Sequence, residues 1–343
     1  MRYRRMGRTG LVVSELCLGT NTFGGGDHPM WRTLGGLDQP AAEAVMATAF
    51  EAGINFIDTA DTYAAGESEQ RIGQALRNLK VDRGDVVIAT KAGSSMGKGP
   101  NNMGASRGHL MRALDASLKR LNMDYVDVFM IHFFDLATPL EETMRTLNDA
   151  VRAGKVRHIG CSNFAAWQLM KAQQISAVEG LERFEVIESQ WSAATRGVER
   201  EIAPMCLDQG VGMMVWGPML GGLLSGKFTR DGGGAGEGRS GGKVAPVLDR
   251  EKVFDMVDAL RTVATRREAS VAQVALAWVL KQKAVTSVLF GARNPEQVAD
   301  NVKAADVVLD DEDMTLINAA AEPAMDYGPW MVRGTSTARS PYV

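Results

Sequence analysis

The sequence predicts an α/β protein that folds as a (β/α)8 TIM barrel with an N-terminal β-hairpin and long active-site loops. Eight short apolar runs alternate with amphipathic helical segments along the chain. The runs are almost continuously apolar, as parallel strands covered on both faces are. A length of 343 residues suits one such barrel with insertions, so we expect a single domain over residues 1–343.

The predicted strands are assigned from these apolar runs. They cover residues 15–20, 55–60, 86–91, 125–132, 156–163, 184–189, 212–217 and 287–292. The preceding segment, residues 3–16, is typical of a short hairpin that turns at residues 8–10. We expect this hairpin to close the bottom of the barrel.

Two of the predicted helices carry clear sequence signals. Residues 138–154 begin with Thr138 as the expected N-cap, Pro139 in the first turn and Glu141 completing a capping box, and Gly154 ends the helix. Residues 106–122 place four leucines on one face, as a helix packed against a sheet does. These are Leu110, Leu114, Leu118 and Leu121.

Two segments do not fit the repeat of strand and helix. Residues 229–246 are glycine-rich, and a flexible loop is the expected structure. They contain a formal G-x-G-x-x-G match, which we reject as a dinucleotide fingerprint because no predicted strand precedes it. The tail, residues 323–343, is expected to be either a disordered end or a lid with aromatic side chains.

Composition and charge exclude several classes of protein. Lys plus Arg number 38 and Asp plus Glu 41, a formal net charge of −3, so no strongly basic surface for nucleic acid or membrane is expected. The longest apolar stretch, residues 271–280, is too short to span a bilayer. The N-terminus lacks the apolar region of a secretory signal. We expect a cytoplasmic protein.

The cysteine count agrees with a reducing compartment. Cys17, Cys161 and Cys206 are an odd number without metal-type spacing. We therefore expect neither a disulfide framework nor a metal site.

Polar and reactive side chains end the predicted strands. In an α/β barrel, functional groups gather at the carboxyl ends of the strands. Those ends carry Gly19, Thr20, Asp58, Lys91, His132, Ser162, Asn163, Glu188 and Trp216, with Tyr63 just after the second strand. Each side chain alone has a structural explanation, such as a turn cap or a core histidine. Complementary groups at one end of a barrel favour a reactive site instead.

The chemistry of these groups indicates proton transfer to a carbonyl oxygen. A free phenol has a pKa of about 10, which is high for an acid at neutral pH. We expect the ammonium of Lys91 to lower the pKa of Tyr63, and Asp58 to keep Lys91 charged and in place. His132 would orient the substrate oxygen.

The same residues resemble the aldo-keto reductase superfamily, in the prokaryotic reductase group that is similar to potassium-channel β subunits. The resemblance covers nearly the whole chain. It runs through the motifs YRRMGRTGLVVSELCLGT, FIDTADTY, VVIATK, VFMIH, IGCSNF, MVWGPMLGGLLSGK and GARNPEQVADN, in this order.

The resemblance implies an enzyme that reduces an aldehyde or ketone, reversibly, with a nicotinamide cofactor. Its catalytic residues would be Asp58, Tyr63, Lys91 and His132. Its cofactor-binding residues would be Gly19, Thr20, Asp58, Ser162, Asn163, Glu188, Trp216, Gly217, Pro218, Met219, Leu223, Ser225, Lys227, Gly291, Arg293, Gln297, Asp300 and Asn301. Because Arg suits a forked contact with phosphate oxygens, Arg293 favours NADPH, with NADH as the alternative.

The chain departs from the family at Glu188, where members usually carry Gln. Gln both donates and accepts hydrogen bonds, whereas an ionised Glu only accepts. Three explanations stay open: a protonated Glu188, a shifted register that presents Gln190 instead, or an altered balance between the two cofactor redox states.

The substrate is less defined by the sequence. The expected pocket walls are Trp31, Tyr63, His132, Phe133 and Trp330, which suit a bulky uncharged carbonyl such as a keto sugar, a terpenoid or another cyclic ketone. Two alternatives to a reductase are a cofactor-sensing module with little turnover and a Schiff-base aldolase that uses Lys91. The residues leave open whether the chain forms a homo-oligomer.

Overall fold

The computed structural model of the chain describes residues 1–26, 34–231 and 248–321. In these residues eight parallel strands close into a barrel in the order β10-β3-β4-β5-β6-β7-β8-β9. The barrel strands are β3 (Leu16–Gly19), β4 (Phe56–Asp58), β5 (Val87–Ala92), β6 (Val126–Ile131), β7 (Val156–Ser162), β8 (Phe184–Gln190), β9 (Gly212–Trp216) and β10 (Val285–Phe290). All eight predicted strands are confirmed, and so is the (β/α)8 TIM barrel.

Helices surround this barrel. In the described part of the chain they are α1 (Gln39–Glu51), α2 (Glu67–Asn78), α3 (Arg107–Leu121), α4 (Leu140–Arg152), α5 (Ala166–Glu179), α6 (Ile202–Gln209), α7 (Arg250–Arg266), α8 (Val271–Leu280), α9 (Pro295–Val302) and α10 (Asp311–Ala320). None of the helices described is long and apolar enough to cross a membrane.

The N-terminal hairpin consists of β1 (Tyr3–Arg5) and β2 (Val12–Ser14), paired antiparallel. Its turn places Met6 and Leu11 against the side chains that fill the barrel interior. Gly7 has a φ of +53°, and a Cβ there would lie 2.5 Å from the carbonyl oxygen of Glu185. Only glycine therefore lets the turn approach the barrel so closely. The prediction that the hairpin closes the bottom of the barrel is confirmed.

Two apolar cores hold the structure together. The inner core fills the barrel with side chains from the strands, including Cys17, Phe56, Val128 and Met214. The larger outer core lies between the strands and the helices. All four leucines predicted for the inner face of α3 are buried in it. The strands are thus buried on both faces, which explains their continuous apolar sequence.

The predicted start of helix 138–154 is wrong. The helix begins at Leu140, and Pro139 occupies the N-cap position without a side-chain cap. The hydroxyl of Thr138 instead donates to Asp135 at 2.6 Å. Because Asp135 takes that donor, the hydroxyl is not free to cap the helix. Gly154 follows the helix end with a φ of +74°, as predicted.

The longest connections lie at the carboxyl ends of the strands. Residues 93–106 connect β5 to α3, and residues 217–249 connect β9 to α7. Most of the glycine-rich segment predicted to be a flexible loop, residues 229–246, and the tail from residue 323 lie outside the described residues.

Candidate active site

A deep cavity of about 760 Å³ opens at the carboxyl ends of the barrel strands. Such a volume suits a small-molecule ligand. Polar side chains from several strand ends lie along one part of its wall. A second part is built by the segments that follow β9 and β10.

Lys91 and Asp58 form a buried ion pair beneath the cavity. The ammonium of Lys91 donates to both carboxylate oxygens of Asp58 at 2.6 Å and to the carbonyl of Thr59 at 3.0 Å. Burial lowers the pKa of Lys91, but the charges of Asp58 and Glu188 outweigh it, and the pKa lies well above its usual value. Lys91 is therefore held as a cation at the end of β5.

Glu188 adds a second carboxyl group to this pair. Its Oε2 lies 3.2 Å from Nζ of Lys91, and its side chain is almost fully buried. Burial, followed by the charge of Asp58, raises the pKa of Glu188 to about 8. Two carboxyl groups beside one ammonium cannot both ionise easily, so Glu188 carries a proton at neutral pH.

The register of β8 presents Glu188, and not Gln190, at the cavity. Glu188 pairs with Ser162 on β7 and with Met214 on β9. Glu188 lines the cavity, whereas Gln190 pairs with Trp216 and does not line it. The explanation by a shifted register is therefore wrong.

Tyr63 lies beside Lys91 on the cavity wall. The Nζ of Lys91 is 5.3 Å from the centre of the Tyr63 ring. The net effect on the phenol is the opposite of the one predicted: burial raises the pKa of Tyr63 above its usual value, and the Lys91 charge opposes this only in part. Asp58 and Glu188 add to the rise. Tyr63 is consequently a protonated phenol at neutral pH.

His132 follows β6 and faces Tyr63. The two rings meet edge to face with their centres 6.0 Å apart, and Phe133 stacks on the imidazole at 4.5 Å. Burial, with a smaller contribution from the Lys91 charge, lowers the pKa of His132 to about 3. His132 is thus a neutral imidazole, which has one N–H to donate.

Asn163 ties four strand ends together. Its backbone has a φ of +59°, its side-chain amide nitrogen donates to the backbone carbonyl of His132 at 3.2 Å, and its backbone N–H donates to the backbone carbonyl of Glu188 at 2.9 Å. Its side-chain oxygen accepts from the indole of Trp216 at 3.0 Å. This network fixes Trp216 at the end of β9 relative to His132.

The far part of the cavity carries two cationic side chains, in a wall that also includes Glu296 and Asp300. Lys227 and Arg293 both line it, and after burial the charge of Arg293 is what lowers the pKa of Lys227. Two cations close enough to perturb each other favour an anionic ligand between them. Gln297 accepts from the backbone N–H of Arg293 at 2.9 Å and holds the start of α9 in place.

Most of the residues expected to bind a cofactor line this one cavity. They are Gly19, Thr20, Asp58, Asn163, Glu188, Trp216, Gly217, Pro218, Met219, Ser225, Lys227, Gly291, Arg293, Gln297, Asp300 and Asn301. Ser162 and Leu223 are buried and do not line it. Of the expected pocket residues, Tyr63, His132 and Phe133 line the cavity, whereas Trp31 and Trp330 lie outside the described residues.

Several residues that line the cavity were not predicted from the sequence. Asn21 and Thr22 follow β3 directly, and Ser270 caps α8. The strand-end rule could have found the first two, had it been applied past Thr20. The hydroxyl of Thr22 donates to the carbonyl of Ala292 at 3.0 Å, which joins two loops distant in sequence. Only the closed barrel brings those loops together.

Comparison with known proteins agrees with this geometry. Residues 15–322 match the model of the Aldo/keto reductase family. The chain is 36% identical over 313 residues to a probable voltage-gated potassium channel subunit beta of Oryza sativa subsp. japonica, covering 90% of this chain and 92% of that one. It is 35% identical over 332 residues to the NADH-specific methylglyoxal reductase of Escherichia coli (strain K12), covering 92% and 97%. It is 34% identical over 351 residues to norsolorinic acid reductase B of Aspergillus parasiticus, covering 99% and 89%.

The chain belongs to the aldo/keto reductase family and is an NAD(P)H-dependent oxidoreductase. The names of these relatives differ in substrate and in role. Membership of the family therefore defines the class of reaction and leaves the substrate and the preferred cofactor to further argument.

Proposed function

We propose that this protein reduces an aldehyde or ketone to the alcohol with NADPH, reversibly, and that Tyr63 donates the proton. The observation that carries the proposal is the placement of Tyr63 between His132 and the Asp58–Lys91 ion pair on one cavity wall. A carbonyl oxygen that meets Tyr63 and His132 would find a proton donor and an orienting donor together.

The residues of the cavity suit a nicotinamide dinucleotide. The flat indole of Trp216, held by Asn163, would support the nicotinamide ring. Lys227 and Arg293 would hold phosphate groups at the far end. Arg293, with Gln297, would meet the 2′-phosphate that NADPH carries and NADH lacks. Asp58, Lys91, Tyr63 and His132 lie near the Trp216 end, so the reactive ring and the proton donor would meet there.

Tyr63 is suited to give its proton only when negative charge develops on the substrate. Its raised pKa keeps the phenol protonated at neutral pH. When bound, the nicotinamide supplies a hydride to the carbonyl carbon. As the carbonyl oxygen gains charge it becomes a stronger base than the phenolate, which the neighbouring Lys91 cation stabilises. The O–H bond of Tyr63 then breaks, and the proton passes to the substrate oxygen.

His132 would position the substrate and not supply the proton. Its pKa of about 3 leaves the imidazole neutral across the physiological range. A neutral imidazole can still donate one N–H hydrogen bond to the substrate oxygen. Phe133, stacked on this ring and about half exposed, would restrict its rotation and offer an apolar wall to the substrate. An apolar wall favours a bulky, uncharged carbonyl compound.

Two other functions have less support. One relative is named as a probable potassium channel subunit, which favours a cofactor-sensing module as the second candidate. An aldolase that forms a Schiff base needs a neutral Lys91, yet Lys91 pairs with Asp58 and its pKa is raised. A lysine held as a cation is a poor nucleophile.

Cofactor binding and turnover test the proposal. We expect fluorescence titration to show tighter binding of NADPH than of NADH, and a panel of aldehydes and ketones to include compounds that oxidise NADPH. Arg293→Ala should weaken NADPH binding by about tenfold to a hundredfold, because a charge-assisted contact with phosphate is lost, and should leave NADH binding nearly unchanged.

Arg145→Ala is the matched control, since Arg145 pairs with Glu179 on the outer helices and does not line the cavity. An equal loss of NADPH and NADH affinity in Arg293→Ala would refute the assignment of Arg293 to the 2′-phosphate. Tight NADPH binding with no turnover on any carbonyl would favour the sensing module instead.

A further inference from the structure

Glu188 is a buried titratable group on the cavity wall that the proposed mechanism does not use. It lines the cavity on the wall that holds Asn163 and Trp216, and it lies at the carboxyl end of β8. A hydride donor must reach the carbonyl carbon whose oxygen Tyr63 and His132 hold. It would therefore bind in the part of the cavity that Glu188 faces.

The carboxyl of Glu188 is held in a protonated form by its surroundings. Its Oε2 is 3.2 Å from Nζ of Lys91, but no group in the described residues hydrogen-bonds to that oxygen. The three donors of Lys91 are engaged largely by Asp58 and Thr59. Burial and the charge of Asp58 raise the pKa of the Glu188 carboxyl, and the neighbouring Lys91 opposes this only in part.

In the described part of the chain, the titratable groups around Glu188 come from four neighbouring strands or from the segments that follow them. Asp58 comes from β4, Lys91 from β5 and Cys17 from β3, and Tyr63 and His132 follow β4 and β6. The pKa values of Lys91, Tyr63 and Cys17 are raised and that of His132 is lowered to about 3. In the neutral range, the proton that can leave this cluster is therefore the one shared by Glu188 and Asp58.

We propose that Glu188 responds to the charge of the nicotinamide ring, so that NADP⁺ binds with loss of the Glu188 proton to solvent and NADPH binds without it. This inference rests on the proposed function. The oxidised ring carries a positive charge and the reduced ring does not. A positive charge beside a buried carboxyl favours its ionised form, whereas a neutral ring leaves the proton in place.

The consequence is a pH-dependent preference between the two redox states of the cofactor. Below the pKa of Glu188, NADP⁺ binding must remove a proton, so its affinity rises as the pH rises and levels off above about pH 8. NADPH affinity lacks this dependence. Acidic conditions would then favour release of NADP⁺ and hence carbonyl reduction, and alkaline conditions would favour alcohol oxidation.

The test is the ratio of the dissociation constants of NADP⁺ and NADPH, measured by fluorescence titration from about pH 6 to about pH 9. Ionisation of the 2′-phosphate and of Lys227 affects both cofactors alike and cancels in this ratio. As the pH rises towards the pKa of Glu188, we expect this ratio in the wild-type protein to fall by up to about tenfold per pH unit. In Glu188→Gln it should stay constant.

Asp61→Asn is the matched control, because Asp61 is a buried carboxyl whose pKa of about 7 falls in the same window but which does not line the cavity. This variant should keep the wild-type slope. Calorimetry on the wild-type protein in two buffers of different ionisation enthalpy needs no variant. It should show more proton release on binding NADP⁺ than on binding NADPH, by up to about one proton.

A flat ratio in the wild-type protein, or the same slope in Glu188→Gln, would overturn the role of Glu188. Failure to bind either cofactor would instead overturn the proposed function. The two failures are therefore distinguishable in one experiment.

Discussion

Asp61 is a buried carboxyl group close to the active site, and its burial has a consequence for stability. It lies two positions before Tyr63, it is fully buried, and within the described residues neither of its carboxylate oxygens has a hydrogen-bond partner. Burial, followed by the nearby charge of Glu69, raises the pKa of Asp61 to about 7. The folded protein therefore binds the Asp61 proton more tightly than the unfolded chain does.

This imbalance makes the stability of the protein depend on pH. As the pH rises from the unfolded pKa of 3.8 towards the folded pKa of about 7, the unfolded chain loses the proton first, and folding stability falls. Asp61→Asn removes that proton. We expect the free energy of unfolding of the variant, relative to that of the wild type, to increase as the pH rises across this window. The increase should be at most about 1.4 kcal/mol per pH unit. Denaturant unfolding at several pH values measures it, and parallel curves for the two proteins would contradict the account.

The sequence could predict which residues form the site, but not how the site shifts their pKa values. Asp58, Lys91 and His132 end predicted strands, and the barrel topology alone brings strand ends together. The pKa of Tyr63 depends on how completely water is excluded and on the distances to Asp58 and Glu188. Those quantities exist only in the folded structure, so the direction predicted from Lys91 alone is wrong.

Helices α2 and α3 approach each other so closely that one position between them must be glycine. Gly73 on α2 packs against the end of α3, where a Cβ would lie 2.2 Å from the carbonyl oxygen of Leu121. The neighbouring atoms are backbone and cannot rotate away. Gly73 is therefore required by the spacing of these two helices, the first of which directly follows the segment that carries Tyr63.

Gly73→Ala should destabilise the protein by about 1–3 kcal/mol, because an added methyl group forces the helices apart. Gly108→Ala is the matched control in α3. Its Cβ would meet only the guanidinium of Arg112, at 3.3 Å, which can move. Alanine favours helix over glycine, so this variant should be unchanged or stabilised by up to about 1 kcal/mol. Thermal unfolding compares the two, and equal effects would contradict the packing argument.

Element positions followed from hydrophobic patterning more reliably than element ends did. Strand cores such as residues 126–131 are buried on both faces and apolar except for Asp127, so they stand out in the sequence. The start of α4 depends on whether Thr138 finds a partner other than the helix, and Asp135 provides one. A competing hydrogen bond of this kind leaves no signature in the local sequence pattern.

The molecule as a whole is a closed barrel with a cavity at the carboxyl ends of its strands. Segments that are distant in sequence line this cavity. Hairpin side chains such as Met6 fill one end of the barrel, and strand ends and loops form the cavity at the other. Residues that line the cavity range from Gly19 to Asn301, so its shape depends on closure of the sheet between β3 and β10. The closed architecture was predictable from eight apolar strands. The loop contacts that shape the cavity were not.

The central claim is that Tyr63 supplies the proton in a nicotinamide-dependent carbonyl reduction. The most direct test is Tyr63→Phe, assayed for NADPH binding and for kcat on a carbonyl that the wild type reduces. Tyr3→Phe is the control, because Tyr3 is half exposed on the N-terminal hairpin, donates to the backbone carbonyl of Gly53 and does not line the cavity. We predict that Tyr63→Phe keeps its NADPH affinity and loses about 10²–10⁴-fold in kcat. A kcat near that of the wild type would contradict the account.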